Sequence, residues 1–193
     1  CILTKWDEVK KETLKVHKNV REEFGLISKE ENGKTVKCEM CANSCKIADG
    51  FFGLCGLRKN ENGKLISFVD ANKALLEYYY DPLPTNCVAS YWCEEDNPTK
   101  YNLAIFYGAC SFNCLFCQNW HFRRLARALS PRISVDKLLN TVNEDVACVC
   151  FFGGDPSCQM PFTINFSSKA MEKFPWLRIC VETNGNENPA MPV

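Results

Sequence analysis

Cys110, Cys114 and Cys117 stand in the spacing C-x3-C-x2-C. Three thiolates on one short loop can hold three irons of a [4Fe–4S] cluster and leave the fourth iron open, as a catalytic centre needs. Ferredoxin-type runs carry four thiolates at other spacings. The same loop also reads as a zinc loop with His121 as fourth ligand, or as three incidental buried thiols. A second group, Cys38, Cys41, Cys45 and Cys55, is interleaved with Gly50, Gly53 and Gly56. Four thiolates close a tetrahedral zinc site, and they equally complete an auxiliary iron–sulfur cluster. A glycine-rich knuckle of this size lacks a core of its own and depends on metal to fold.

The elements that must position these thiols alternate after residue 101. Leu103–Ala109, Val146–Phe152 and Leu177–Val181 are apolar runs of strand length. Between them, Arg132–Asn143 predicts a helix capped by Ser134, and Ile164–Phe174 predicts another. Strand, helix, strand, helix, strand is the grammar of a parallel α/β sheet. The cysteine triplet follows the first strand, and in parallel α/β folds ligands gather at the carboxyl ends of the strands. Upstream, Trp6, Val9, Thr13, Val16, Val20 and Phe24 predict an amphipathic helix over 4–24. Asn62-Gly63 predicts a hairpin turn. Residues 75–100, with Asp81-Pro82-Leu83-Pro84 and Asn97-Pro98, read as an extended linker. Two regions result: 1–100, a helix, a cysteine-rich metal-binding extension and a linker; and 101–193, the α/β half. The chain runs from Cys1 to Val193 without a closing element, and three parallel strands leave an unpaired edge. A piece of a longer protein is therefore expected.

Composition narrows the class. The 193 residues carry 23 basic and 23 acidic side chains, which removes a general electrostatic case for nucleic acid or an anionic membrane. Hydrophobic residues make up 46%, enough for a sizeable core, and no apolar run approaches the ~18 residues that span a bilayer. A cytoplasmic protein is expected. With 14 cysteines against two histidines, ligand chemistry falls to thiolate, which suits zinc and iron–sulfur. Cys148, Cys150 and Cys180 read as small buried hydrophobes. Cys87 and Cys93 lie in the linker. Arg123, Arg124, Arg127 and Arg132 read as a solvated helix face.

The triplet, with Phe116 before its last cysteine, resembles the signature of the radical S-adenosylmethionine (radical SAM) superfamily. Phe152-Gly153-Gly154-Asp155-Pro156 resembles that family's glycine-rich loop, with Asp155 in place of the commoner glutamate. Val181-Glu182-Thr183-Asn184-Gly185 resembles a loop of pyruvate formate-lyase activating enzyme-like members. The Cys38–Asn62 run and Cys117-Gln118-Asn119-Trp120 resemble the AmmeMemoRadiSam-type subgroup. The resemblance implies a partial (β/α) barrel, cut after its third strand, behind a cysteine-rich extension. It also implies that Cys110, Cys114 and Cys117 hold a [4Fe–4S] cluster and that Phe116 packs on the adenine of S-adenosylmethionine. Gly153, Gly154 and Asp155 would bind its amino group, while Glu182, Thr183 and Asn184 would serve a cation or the ribose side. The implied chemistry is reductive cleavage of S-adenosylmethionine to a 5′-deoxyadenosyl radical that abstracts hydrogen, with ferredoxin or flavodoxin as electron donor. No acid–base pair is needed for it, and none is evident. Within the family the alternatives are a glycyl-radical-enzyme activase with a protein substrate and an enzyme acting on a small molecule or lipid. Outside it stand an electron-transfer iron–sulfur protein and a zinc-binding interaction module.

Overall fold

The computed structural model describes residues 35–93 and 98–188, together with Glu8, Glu12, Lys15, Val16 and Asn19, which are helical. The remainder of the helix predicted over 4–24 lies outside the described residues. The extension is built from two small antiparallel hairpins. In the first, β1 (Val36–Lys37) pairs with β2 (Lys46–Ile47). In the second, β3 (Arg58–Glu61) pairs with β4 (Lys64–Ser67) through the predicted turn. There Asn62 (φ 56°) and Gly63 (φ 83°) both take the left-handed region that a two-residue hairpin turn requires.

Next comes β5 (Lys73–Pro82), a ten-residue strand where the sequence reads as linker. The correction has a physical reason. Ala74, Leu75 and Leu76 are fully buried, and the two prolines that suggested a linker fall at and just beyond the strand's end, where Pro costs no ladder bond. The chain continues through β6 (Tyr101–Tyr107), α1 (Phe122–Ala128), β7 (Arg132–Ser134), α2 (Val135–Leu139), β8 (Val146–Gly153), α3 (Met160–Lys173) and β9 (Arg178–Val181). The α2 helix starts where Ser134 predicts it, the Ser134 hydroxyl accepting from Lys137 N at 3.2 Å. It is shorter than expected, because Arg132–Ser134 is recruited as an edge strand.

The five strands form one sheet in the order β7-β5-β6-β8-β9. β6, β8 and β9 are parallel, as the alternation of elements predicts. β5 runs antiparallel to β6 over seven residue pairs and covers the edge that three parallel strands would leave bare. Among the described residues the sheet does not close into a barrel, and no helix is long and apolar enough to cross a membrane.

Strand alternation sends Leu103, Ile105, Tyr107, Val149 and Phe151 to one face, where α2 and α3 cover them. Tyr107 stacks on Phe151 at 5.7 Å between ring centres, and Phe166 meets Phe151 edge-on at 6.0 Å. Each buried ring of this kind contributes about 1.5–3 kcal/mol by leaving water. The opposite face carries Ala104 opposite Cys150 and Asn102 opposite Cys148.

The upper edge of β5 is fastened by a side chain. Gln159, buried just ahead of α3, accepts from Leu75 N at 2.8 Å and donates to Leu75 O at 3.0 Å. The amide thus imitates a neighbouring strand. Gln159→Met keeps the volume but strands the Leu75 N–H, while Leu75 O keeps the Gly108 N–H at 2.8 Å. The variant should lose roughly 1–3 kcal/mol, read from urea denaturation of the full chain. An unchanged midpoint would show that the clamp does not hold β5.

Candidate cofactor site

β6, β8 and β9 each deliver a loop at their carboxyl ends, and the three loops meet. They border a cavity of about 260 Å³ lined by Cys110, Cys114 and Cys117, by Gly153, Gly154 and Asp155, and by Glu182, Thr183 and Asn184. All three sequence motifs therefore share one site. Asn119, which the sequence offers only as part of Cys-Gln-Asn-Trp, also lines it. Phe116 is 88% exposed and is not among the lining residues. A larger cavity of about 490 Å³, lined by Leu76, Tyr79, Phe106 and His121 among others, holds none of the motif residues.

Asp155 organises the meeting. One carboxylate oxygen accepts from Thr183 Oγ1 at 2.8 Å and Asn184 N at 3.1 Å. The other accepts from Ser111 Oγ at 3.0 Å, from Ser157 N at 3.2 Å and from the Ser157 hydroxyl. Two carboxylate oxygens offer about four acceptor directions, so this buried group is saturated by the chain's own donors. The aspartate at this position ties the cysteine loop, its own turn and the loop after β9 together. Asn184 Nδ2 adds a bond to Ser111 Oγ at 3.2 Å.

The glycines serve packing. A Cβ on Gly153 would sit 2.5 Å from the Phe106 ring. One on Gly154 (φ +60°) would sit 2.6 Å from Ala109 O and closer still to Tyr107 O. Backbone carbonyls at Gly154 and the Phe106 and Asn119 side chains at Gly153 thus leave no room for a Cβ.

The cysteine loop has its own anchor. Arg123 was expected on a solvated face, yet it is buried and donates through Nε to Asn113 Oδ1 at 2.8 Å, with a second contact from Nη2. The first turn of α1 thereby grips the middle of C-x3-C-x2-C. Burial raises the Cys110 thiol above its ordinary range, and the Phe112 N–H, 3.4 Å from Cys110 Sγ, pulls the other way by favouring thiolate. Among the described residues, no three His, Cys, Asp or Glu side chains have donors converged for one metal ion. A [4Fe–4S] cluster does not require that convergence, since each thiolate ligates a different iron. Three thiols bordering one cavity fit it.

Two further thiol groups appear. Cys38, Cys41, Cys45 and Cys55, expected to act together, are electrostatic neighbours, and Cys158 joins them from the turn after Asp155. Cys158 escaped the sequence reading because it lies 103 positions beyond Cys55 and outside any motif. The second group gathers Cys87, Cys93, Cys148, Cys150 and Cys180 near Glu182. Cys150 lies opposite Cys180 in the ladder, and burial raises both thiols. Cys148 and Cys150 are buried as expected, whereas Cys180 is only half-buried; Cys87 and Cys148 pack beside Leu83. None of the thirteen cysteines among the described residues is in a disulfide.

The carboxyl-end loops of a parallel sheet thus bring three clustered thiols against a glycine-rich turn in a mixed α/β protein. Residues 104–190 match the family model described as Radical SAM superfamily. An uncharacterized protein of Methanocaldococcus jannaschii is 32% identical over 85 residues, which cover 44% of this chain and 23% of the relative. The chain thus matches less than a quarter of that relative's length. No solved structure matches. The family implies a [4Fe–4S] cluster and S-adenosylmethionine.

Asp155→Asn tests the network. Whichever way the new amide turns, its NH2 faces a backbone N–H, from Ser157 or from Asn184. We expect a loss of roughly 2–4 kcal/mol and faster hydrogen exchange at one of those two amides. Wild-type protection at both would mean that the carboxylate does not hold the loops.

Proposed function

We propose that this chain carries the cofactor-binding part of a radical SAM enzyme that reductively cleaves S-adenosylmethionine to a 5′-deoxyadenosyl radical for hydrogen abstraction. The observation that carries the reading is the single cavity bordered by Cys110, Cys114, Cys117 and the two loops after β8 and β9. Cys110, Cys114 and Cys117 would hold the cluster. When bound, it supplies one electron and an open iron for the amino and carboxylate groups of S-adenosylmethionine. Gly153 and Gly154 bring backbone to the cavity wall without side chains, while Asp155 holds the wall in register.

Glu182 is the lining carboxylate with spare capacity. Its one hydrogen-bond contact is with Cys150 Sγ at 3.9 Å, too long to satisfy a carboxylate. It is therefore the group best able to meet a cationic pole of the cofactor, a role the resemblance spread over Glu182, Thr183 and Asn184. Thr183 and Asn184 already engage Asp155 and lend shape to the rim. Within this reading the Val181–Gly185 loop favours a glycyl-radical-enzyme activase with a protein substrate. A ferredoxin or flavodoxin would donate the electron. Thiols outside disulfides suit a reducing compartment such as the cytoplasm.

Cys114→Ala should abolish cleavage of S-adenosylmethionine by the anaerobically reconstituted protein and lower its iron content. Cys148→Ala should leave both largely intact. Equal loss in the two variants would refute the division between ligands and core thiols. Glu182→Gln should weaken S-adenosylmethionine binding by about tenfold, the value of one charge-assisted hydrogen bond, measured calorimetrically. Burial raises the Glu182 carboxyl above its ordinary value. Binding that needs the carboxylate must then fall, as pH is lowered, at a higher pH than an exposed glutamate would give. A pH profile identical in wild type and Glu182→Gln would remove Glu182 from the role.

A further inference from the structure

The β7 edge of the sheet is only partly covered. β7 pairs with Lys73–Leu75 and no further, while β5 runs on to Pro82. Hydrogen bonds on both sides fix which way the β5 backbone points. Gly108 N donates to Leu75 O at 2.8 Å on the β6 side, and Val135 N, just past β7, donates to Asn72 O at 2.9 Å on the other. Main-chain groups alternate in direction along an antiparallel strand. Glu77, Tyr79 and Asp81 therefore bond toward β6, and Tyr78 and Tyr80 present both N–H and C=O to the open edge. Continuing the β7 register by one residue sets Pro131 opposite Leu76. Proline has no N–H to give to Leu76 O, so the ladder stops there. Among the described residues, no strand pairs with β5 on this side beyond Leu75.

The cavity of about 490 Å³ lies against this edge. Leu76–Tyr79 of β5 form one wall, Pro131 and Ile133 form another where β7 gives out, and Phe106 and His121 complete the lining. The cavity thus sits where a longer β7 would run. Its walls are mostly apolar and aromatic, with one carboxylate, Glu77, and no lysine or arginine. Glu77 is exposed and makes no ion pair with a described residue. Phe106 stacks on Tyr79 at 5.7 Å and lies 5.5 Å from Phe152, which borders the cofactor cavity. The two cavities therefore share this pair of rings as a partition. Sheet edges that must stay unpaired are blunted by lysine, by proline or by brevity. Leu76–Asp81 contains neither residue.

We propose that the open edge of β5 receives an extended segment of a protein partner by strand addition, with apolar side chains of that segment seated in the adjoining cavity. Main-chain donors and acceptors on alternate residues are matched by another extended backbone, and pockets beside such an edge select alternate side chains. A lining with a carboxylate and no cation selects a basic segment over an acidic one. The proposal deepens the protein-substrate reading and rests on it for the role of the segment, not for its docking. Binding is read without cluster or S-adenosylmethionine. Failure to dock therefore leaves cofactor cleavage untouched, and failure of cleavage leaves the docking edge standing.

The test uses the full chain and a capped hexapeptide alternating phenylalanine and lysine. Adding the peptide should slow hydrogen exchange at the Tyr78 and Tyr80 amides, while those of Glu77 and Tyr79, bonded within the sheet, are protected throughout. Two isomers of the peptide, N-methylated at the lysines or at the phenylalanines, leave the protein unchanged. One should bind at least about tenfold more weakly than the parent, the worth of two main-chain hydrogen bonds, and the other should bind nearly as well. Tyr80→Pro removes one outward N–H where proline breaks no ladder bond, and should weaken binding about fivefold. A peptide with glutamate in place of lysine should bind more weakly than the parent, and Glu77→Gln should narrow that difference. Equal affinity of the two N-methyl isomers, or no binding at millimolar peptide, would overturn the proposal. So would Tyr78 and Tyr80 amides already protected in the free monomer, which would assign the edge to a segment of this chain. Protection that appears only as the chain dimerises would assign it to a second copy and overturn the proposal equally.

Discussion

The Asp155 carboxylate is the constraint on which the site depends. It is a buried anion that exists at low cost only because five donors from three chain segments converge on it. In return it fixes those segments relative to one another, as no single hydrophobic contact could, because hydrogen bonds are directional. Ser111 carries the order into the cysteine loop, and Thr183 and Asn184 carry it into the loop after β9. The extension joins through Asn43 at Ser111 O and Ala42 at Asn186 O. A shorter aspartate side chain, drawn back into this network, leaves the longer Glu182 facing the cavity. The division of labour between the two carboxylates follows from reach and from saturation.

Much of this was legible in the chain. β6 and β8 announce themselves as apolar runs because they are buried almost throughout, under α2 and α3 on one face, whereas β9 at the edge is half-exposed. The Asn62-Gly63 turn and the Ser134 cap were readable because local chemistry decides them. The motifs marked the cavity because each one ends a strand of the same parallel set. β5 was missed for the opposite reason. Its partner is set by tertiary pairing with β6, and the Pro-Leu-Pro at its end masks a buried Ala-Leu-Leu start. Arg123 was misread because four arginines in ten residues look like a solvated face. Only the position of Asn113 in space shows which one turns inward. Sequence spacing likewise leaves out Cys158, which joins the upstream thiols from a distant turn.

Cysteine identity alone does not say what a thiol does. Cys87, Cys93, Cys148, Cys150 and Cys180 also neighbour one another, and burial first, then Glu182, raises the Cys150 thiol. Arg178 lowers only Cys180, against a larger rise from burial. In the upstream group burial likewise raises Cys38 and Cys45, and only Cys41 is lowered, first by its hydrogen bond with Cys158 and, against burial, by the Asn43 N–H and Arg58.

The two thiol groups are also held differently. The cysteine loop after β6 is gripped from behind, through Arg123 and Asn113, which leaves the cavity side clear. The upstream group is met by Cys158 from the far side of the glycine-rich turn. Cys158 stands three residues after Asp155, on the same turn, so any force holding it to the extension acts directly on the glycine-rich loop. Gly154 leaves that loop little latitude, since its φ of +60° and the crowding carbonyls of Tyr107 and Ala109 admit no side chain. The turn is thus pinned by the Asp155 carboxylate on one side and, on the other, by buried Cys158, whose carbonyl accepts from Arg58 of the extension. An extension remote in sequence thereby holds the carboxyl ends of the strands through buried, directional bonds.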